Sequence, residues 1–141
     1  MAAPIKVLID LNIILDTLQR REPHFTDSAQ VLALAEVGTI TGLVAAHSWT
    51  TLFYLYAKDK SGDLARVHLT ELLQFLAVAS IDQAVVEQAL NLPYRDFEDA
   101  VQMMAGVRAG AVYLLTRNVK DFKAGPLPVL QPTELLTLIG R

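Results

Sequence analysis

The 141-residue sequence contains no cysteine, which excludes disulfides, thiolate zinc sites and cysteine nucleophiles together. Its formal net charge is only -3, which argues against a protein that holds nucleic acid by bulk positive charge. No apolar stretch approaches the roughly 18 residues that a membrane helix needs. The chain begins without the basic and apolar regions of a signal peptide, so we expect a cytoplasmic protein with no membrane association.

What the sequence has in abundance is apolar residues, 52% of the chain, arranged in short runs. Runs typical of buried strands recur at 5–9, 42–46, 112–116 and 127–130, with a briefer one at 78–79. The periodicity between them favours helices at 11–19, 26–37, a segment capped by Ser48, 63–76, a segment from Asp82 to Pro93, 96–109 and a last helix opened by Pro132. This alternation predicts one α/β domain over 1–141, a three-layer α/β/α sandwich with a central parallel sheet of four to five strands.

Acidic residues follow the predicted strands or begin the helices between them. They form three groups: Asp10 and Asp16; Asp96, Glu98 and Asp99; and Asp121. Because the carboxyl ends of neighbouring parallel strands lie about 5 Å apart, we expect these carboxylates to converge. Converging carboxylates repel one another, and a bound divalent cation would offset this repulsion. Because the ligands are oxygens, with no cysteine and no paired histidine, Mg²⁺ or Mn²⁺ is favoured. Such a cation can lower the pKa of a bound water and stabilise the charge that develops on a phosphate, as phosphodiester hydrolysis requires.

Each acid also has a local explanation. Asp10 can cap the helix that follows it, and acids in the first turn at 96–99 are favoured by the helix dipole. Asp121 can be a solvated turn residue. The prediction of a metal site therefore depends on the joint placement of the acids.

Three segments resemble the motifs of a known family. They are LIDLNIILD at 8–16, EDA at 98–100 with MA at 104–105, and LTRNVKDF at 115–122. Together they resemble the PIN-domain family, the metal-dependent ribonucleases that include the VapC-type toxins of toxin-antitoxin modules. The motifs occur in the family's order and span essentially the whole chain.

The resemblance implies a parallel sheet between helices, with a carboxylate pocket that binds one or two Mg²⁺ or Mn²⁺ ions and cuts single-stranded RNA. It implies the following site: Asp10 as first metal ligand, Asn12 as its polar support, Asp99 as the helix acid, Asn118 where the family commonly has an aspartate, Asp121 as the next available ligand, and Asp96 and Glu98 as supporting acids.

The sequence departs from the family pattern at two places. Thr51 stands near the family's usual glutamate, and Asn118 replaces an acid. A hydroxyl or a neutral ligand can still hold a metal's water, so we expect Thr51 to support the site and Asn118 to be a metal ligand. Each change nevertheless removes a negative charge and should weaken binding of the ion. The leading hypothesis is a metal-dependent endoribonuclease, and the alternative is a catalytically silent PIN-like module that binds RNA or protein. A third hypothesis makes Asp10 the nucleophile of a haloacid-dehalogenase-like phosphatase, although that family has an aspartate where this chain has Asn12.

Arginines near the predicted pocket are candidates for RNA phosphates. Arg20, Arg21 and Arg117 suit this role, although each can equally be a solvated surface charge. An aromatic stripe at 49–56 is more typical of a core or a protein interface than of a base-stacking platform. The resemblance to the toxins implies a homodimer and an antitoxin whose arm lies across the acidic pocket.

Overall fold

Five strands form one parallel sheet in the computed structural model, which describes residues 3–122 and 125–140. The strands are β1 Lys6–Ile9, β2 Thr41–Ala45, β3 Leu76–Ala79, β4 Tyr113–Leu115 and β5 Val129–Leu130. Their order across the sheet is β3-β2-β1-β4-β5, so the first strand of the chain is the central one. A central strand is buried on both faces, and this explains why the first apolar run is nearly continuous.

Helices cover both faces of the sheet. They are α1 Leu11–Leu18, α2 Phe25–Glu36, α3 Ala46–Asp59, α4 Gly62–Leu72, α5 Gln83–Ala89, α6 Phe97–Arg108 and α7 Pro132–Ile139. Val7 and Ile9 of β1 belong to the core formed with α1, α2 and α7, whereas Leu8 belongs to the core formed with α5 and α6. Successive strand residues point to opposite faces, so these two cores confirm the predicted α/β/α arrangement.

Helix α6 packs against β1 at Gly106. At Gly106, a Cβ atom would stand 2.9 Å from Leu8 Cδ2, closer than real Cβ contacts allow. Glycine therefore lets this helix approach the central strand. Asp99 lies in the first turn of α6, at the end of the sheet where β1 leads into Asp10.

Several predicted boundaries are wrong. Helix α3 begins at Ala46 directly after β2, with Ala45 at the N-cap, so Ser48 is a buried residue within the helix and not its cap. No polar break separates β2 from α3, and this hid the boundary. Helix α4 ends at Leu72 and does not extend to residue 76, because Leu76 is already the first residue of β3.

Two acids cap the helices that follow them, Asp82 as predicted and Asp96 one residue before the first turn in which it was expected. Asp82 accepts a hydrogen bond from the Val85 N–H at 3.0 Å, and Asp96 accepts one from the Glu98 N–H at 2.9 Å. The helix after Asp82 ends at Ala89 and does not extend to Pro93, and the last predicted strand shrinks to two residues. Within the described part of the chain, no helix is long and apolar enough to cross a membrane.

Candidate functional site

Asp10 lies at the carboxyl end of β1, where the chain leaves the sheet and enters α1. Its backbone occupies the N-cap position, but its side chain makes no capping hydrogen bond. Thr116, directly after the neighbouring strand β4, instead donates its hydroxyl to Asp10 Oδ2 at 2.8 Å. Asp10 is 7% exposed and Thr116 is fully buried. The closest contact of the Asp10 carboxylate is therefore with Thr116, which orients it.

Burial raises the pKa of Asp10, because a carboxylate loses hydration when it leaves water. The hydrogen bond from Thr116 opposes this rise most strongly, followed by the Gln102 side chain and the backbone N–H groups of Leu11 and Asn12. Gln102 is itself buried, and its Nε2 completes no hydrogen bond within the described residues. A buried acid with an unsatisfied amide beside it has capacity for a further polar ligand.

Asp99 is half-buried in the first turn of α6 and carries the most perturbed carboxyl group of the site. Burial raises its pKa to about 7, together with the charges of Asp96, Asp10, Asp121 and Glu98, in that order. Like charges raise a pKa only when they are near. The fold therefore brings acids from three separate segments of the chain within electrostatic reach of Asp99.

A pocket of about 250 Å³ opens beside Asp99. Its walls are Pro93, Tyr94, Arg95, Asp96, Asp99, Lys120 and Asp121. The Tyr94 hydroxyl donates to the Phe122 carbonyl at 2.9 Å, which ties the segment before α6 to the 3-10 turn Val119–Phe122 that carries Asp121. Gly125 leaves room for this contact, since a Cβ there would overlap the phenol oxygen.

The two predicted amide residues border the same site. Asn12 is half-buried in the first turn of α1, and Asn118 is exposed. The backbone N–H of Asn118 donates to Thr116 Oγ1 at 3.0 Å, so the hydroxyl that orients Asp10 is itself held in place. The roles predicted for the two amide side chains stay predictions.

The first turn of α3 approaches α6 through His47. His47 Nε2 lies 3.1 Å from the Glu98 carbonyl oxygen, and His47 Nδ1 is buried without a partner among the described residues. The Thr51 hydroxyl donates to the His47 carbonyl of its own helix at 3.3 Å. The Glu98 side chain is exposed. Supporting roles for Thr51 and Glu98 stay predictions.

Asp16 does not join the acidic group, so that expectation was wrong. It is fully buried, and Arg117 binds both of its oxygens, Nε at 2.7 Å from Oδ2 and Nη2 at 3.1 Å from Oδ1. The Ser28 hydroxyl donates to Oδ2 at 3.3 Å, and Arg21 Nη1 lies 3.9 Å from Oδ1. Asp16 lies six residues after Asp10, which corresponds to about 9 Å along α1. Arg117 neutralises its charge there, away from the acidic pocket.

The predicted phosphate-binding arginines lie away from the pocket walls. Two of them surround the buried acid of α1, and the Arg20 guanidinium lies 5.4 Å from the centre of the Phe25 ring. The basic residues that line the acidic pocket are Arg95 and Lys120. Sequence reasoning missed both, although each stands next to an acid of the predicted site.

Two further residues of the site had a signal that sequence reasoning did not use. The pairing of Ile9 with Leu115 places the next residue of each strand side by side, which predicts contact between Asp10 and Thr116. Gln102 follows Asp99 by three residues and therefore shares its helix face. Tyr94 had no comparable signal, because its contact with Phe122 joins two loops.

The donor chemistry of the pocket suits a hard divalent cation. Within residues 3–122 and 125–140, no lysine or arginine forms a salt bridge with Asp10, Asp99 or Asp121. In the same residues, no group of three acidic or histidine side chains stands close enough to hold a metal ion. Magnesium is commonly held by one or two carboxylates and several waters. An open site with few protein ligands therefore fits this ion.

Fold and site together define a class of protein: an α/β domain with an acidic pocket beside the carboxyl end of its central strand. The PIN-domain family model matches residues 6–120, and the chain belongs to this family. The resemblance found in the three sequence motifs is thereby confirmed, and the phosphatase hypothesis is wrong. No curated protein matches the sequence significantly.

Solved structures share this fold over nearly the whole chain. A toxin-antitoxin complex from Klebsiella pneumoniae is 24% identical with a TM-score of 0.69, covering 89% of this chain and 97% of that one. VapBC2 from Rickettsia felis, bound to a promoter DNA fragment, is 17% identical with a TM-score of 0.69, covering 90% and 98%. The sarcin-ricin loop cleaving toxin VapC20 from Mycobacterium tuberculosis is 12% identical with a TM-score of 0.61, covering 77% and 86%.

Proposed function

We propose that this protein is a Mg²⁺- or Mn²⁺-dependent endoribonuclease that cuts single-stranded RNA. Asp10 and Asp99 would bind the cation, and Asn118 and Asp121 would complete its shell. The observation that carries the proposal is the acidic pocket, in which Asp96, Asp99 and Asp121 line one cavity at the end of the sheet where β1 leads into Asp10. Burial and the neighbouring acids raise the pKa of Asp99 there to about 7. A carboxylate cluster left in this unfavourable state is typical of a functional site that awaits a cation.

The protein's own groups have definable tasks in this reaction. When bound, the cation would lower the pKa of a water molecule and stabilise the charge that develops on the phosphate. Thr116 holds the Asp10 carboxylate in one orientation through its 2.8 Å hydrogen bond. Asp99, with a pKa of about 7, binds a proton below neutrality, so proton and cation compete for it. Cation affinity should therefore rise as the pH increases through 7.

Cleavage of single-stranded RNA in the presence of Mn²⁺ tests the proposal. EDTA should abolish cleavage, and so should Asp10→Asn, because the substituted amide cannot supply a negatively charged ligand. Glu87→Gln, a change of equal charge at an exposed position of α5, should leave cleavage unchanged. Activity that survives both EDTA and Asp10→Asn would contradict the mechanism.

A catalytically silent PIN module that binds RNA or protein is the second candidate. It is favoured by the lack of a three-acid group among the described residues and by Thr51 in place of the family's glutamate. Calorimetric titration with Mn²⁺ separates the two candidates. Binding that Asp10→Asn weakens favours the nuclease, whereas undetectable binding at millimolar Mn²⁺ favours the silent module.

We further propose that the protein acts in the cytoplasm as the toxin of a toxin-antitoxin module and forms a homodimer. Support comes from the fold shared with solved toxin-antitoxin complexes. In the aromatic stripe of α3, Trp49 packs against the core and Tyr56 is buried, whereas Tyr54 is 61% exposed and available to a partner. A neighbouring reading frame encoding a small DNA-binding protein with a flexible tail would support the module. Light scattering of the purified protein tests the dimer.

A further inference from the structure

The acidic pocket presents a problem for the substrate that the proposed function requires. An RNA phosphate that approaches Asp96, Asp99 and Asp121 is repelled, because all three carboxylates line the same pocket. The chain as a whole offers no compensation, since its formal net charge is -3. Attraction for RNA must therefore come from positive charge placed locally, namely the proposed divalent cation and any basic side chains at the pocket.

Two basic side chains line this pocket together with the acids. Arg95 directly precedes the N-cap of α6, and Lys120 lies in the 3-10 turn beside Asp121. Both are exposed, and among residues 3–122 and 125–140 neither forms a salt bridge or a side-chain hydrogen bond. Their charges are therefore available to a ligand, although carboxylates stand close by.

Several other cations in the described part of the chain are already engaged. Arg117 is bound to Asp16 through two hydrogen bonds. Lys58 lies 6.0 Å from the centre of the Tyr54 ring, and Arg66 lies 5.4 Å from the centre of the Phe53 ring. Arg95 and Lys120 thus differ from these cations in both position and availability.

We propose that Arg95 and Lys120 are the phosphate-binding side chains that hold single-stranded RNA over the acidic pocket, a proposal that rests on the proposed ribonuclease function. Arginine binds a phosphate through two parallel N–H groups, whereas lysine acts as a point charge. One cation on each of the two chain segments that line the pocket would direct the backbone across Asp99. This assignment replaces the three arginines predicted from the sequence.

The size of the effect follows from counterion release. Each phosphate contact on single-stranded nucleic acid contributes about -0.7 to the slope of log K against log salt. Loss of one contact should therefore weaken binding about fourfold at 0.15 M salt, relative to a 1 M reference. Loss of both should weaken binding about 15-fold and make the slope shallower by about 1.4.

Fluorescence anisotropy with a labelled, unstructured RNA of about 12 nucleotides measures this effect directly. All proteins compared carry Asp10→Asn to prevent cleavage. Arg95→Gln and Lys120→Gln should each weaken binding about fourfold, and the double variant about 15-fold. The control is the Lys58→Gln/Arg66→Gln double variant, which changes the net charge equally and should leave affinity and slope nearly unchanged.

Cleavage by the proteins with an intact Asp10 provides the second measurement. The Arg95→Gln/Lys120→Gln variant should show a KM raised about 15-fold, a kcat within about twofold and an unchanged Tm. If wild type cleaves RNA but this variant keeps the wild-type KM, affinity and salt slope, the assignment falls while the ribonuclease proposal stands. If the parent protein neither binds nor cleaves single-stranded RNA, both proposals fall together.

Discussion

Replacing Asp99 by asparagine should stabilise the folded protein at pH 8 in the presence of EDTA. The change removes a carboxylate that burial desolvates and four other acids repel, and asparagine has nearly the same shape. The pKa of Asp99 is about 7 in the folded protein, against an ordinary value of 3.8 that the unfolded chain should show. Between about pH 4 and pH 7 the folded state holds the extra proton. Its stability therefore falls as pH rises through this range, and the whole penalty is present above pH 7.

The magnitude follows from the two pKa values of Asp99. They differ by about three pH units, which corresponds to about 4 kcal/mol of unfolding free energy as an upper limit. Asp99 is only half-buried and faces a pocket that is open to water. Solvent screens a group in this position, so we halve the limit and expect a gain of about 2 kcal/mol at pH 8.

Urea denaturation at pH 4 and pH 8 measures the difference. The gap between Asp99→Asn and wild type should be about 2 kcal/mol at pH 8 and near zero at pH 4. Glu87→Gln, at an exposed position, should stay within about 0.5 kcal/mol of wild type at both values. Adding Mn²⁺ at pH 8 should narrow the gap, because the cation stabilises only a folded protein that binds it. A variant less stable than wild type at pH 8, or a gap independent of pH, would refute the reasoning.

Two further substitutions test the contacts around α1. Arg117→Met removes the bidentate partner of the fully buried Asp16 and should cost about 3–5 kcal/mol of unfolding free energy in urea, whereas Arg20→Gln should cost less than about 0.5 kcal/mol. Equal costs would contradict a structural ion pair. Thr116→Val leaves Asp10 Oδ2 without its donor, so the protein should lose about 1–3 kcal/mol and the pKa of Asp10, followed by NMR, should rise further. An unchanged Asp10 titration would show that the hydroxyl does not hold the carboxylate.

The fold could be predicted because burial on both faces leaves a plain trace in sequence. Val7, Leu8 and Ile9 are all fully buried, and a strand of this kind reads as an apolar run. Boundaries were less predictable where no polar residue marks them. Thus Ala45 ends β2 and immediately precedes α3. Ser48, a residue type that is typical of N-caps, lies inside the helix.

The candidate site was predictable where a residue follows directly from its element. Asp10 stands at a strand end and Asp99 in a first helical turn, and both positions could be read from periodicity. Contacts between loops could not, because no periodicity relates Tyr94 to Phe122. Nor does sequence show which cations remain available: Arg117 and Lys120 both follow β4, yet only Lys120 lines the acidic pocket.

Asp10, which precedes α1, and Asp16, which lies within it, show why burial alone does not identify a functional carboxylate. Asp16 is the more deeply buried, but Arg117 and Ser28 satisfy it and cancel its charge. Asp10 is nearly as buried, and it accepts a hydrogen bond from the uncharged hydroxyl of Thr116. Because a neutral donor orients a carboxylate without cancelling its charge, Asp10 keeps its capacity to bind a cation. Two consecutive residues after β4, Thr116 and Arg117, therefore give the two acids opposite surroundings: Asp16 has an ion-pair partner, whereas Asp10 has only a neutral donor.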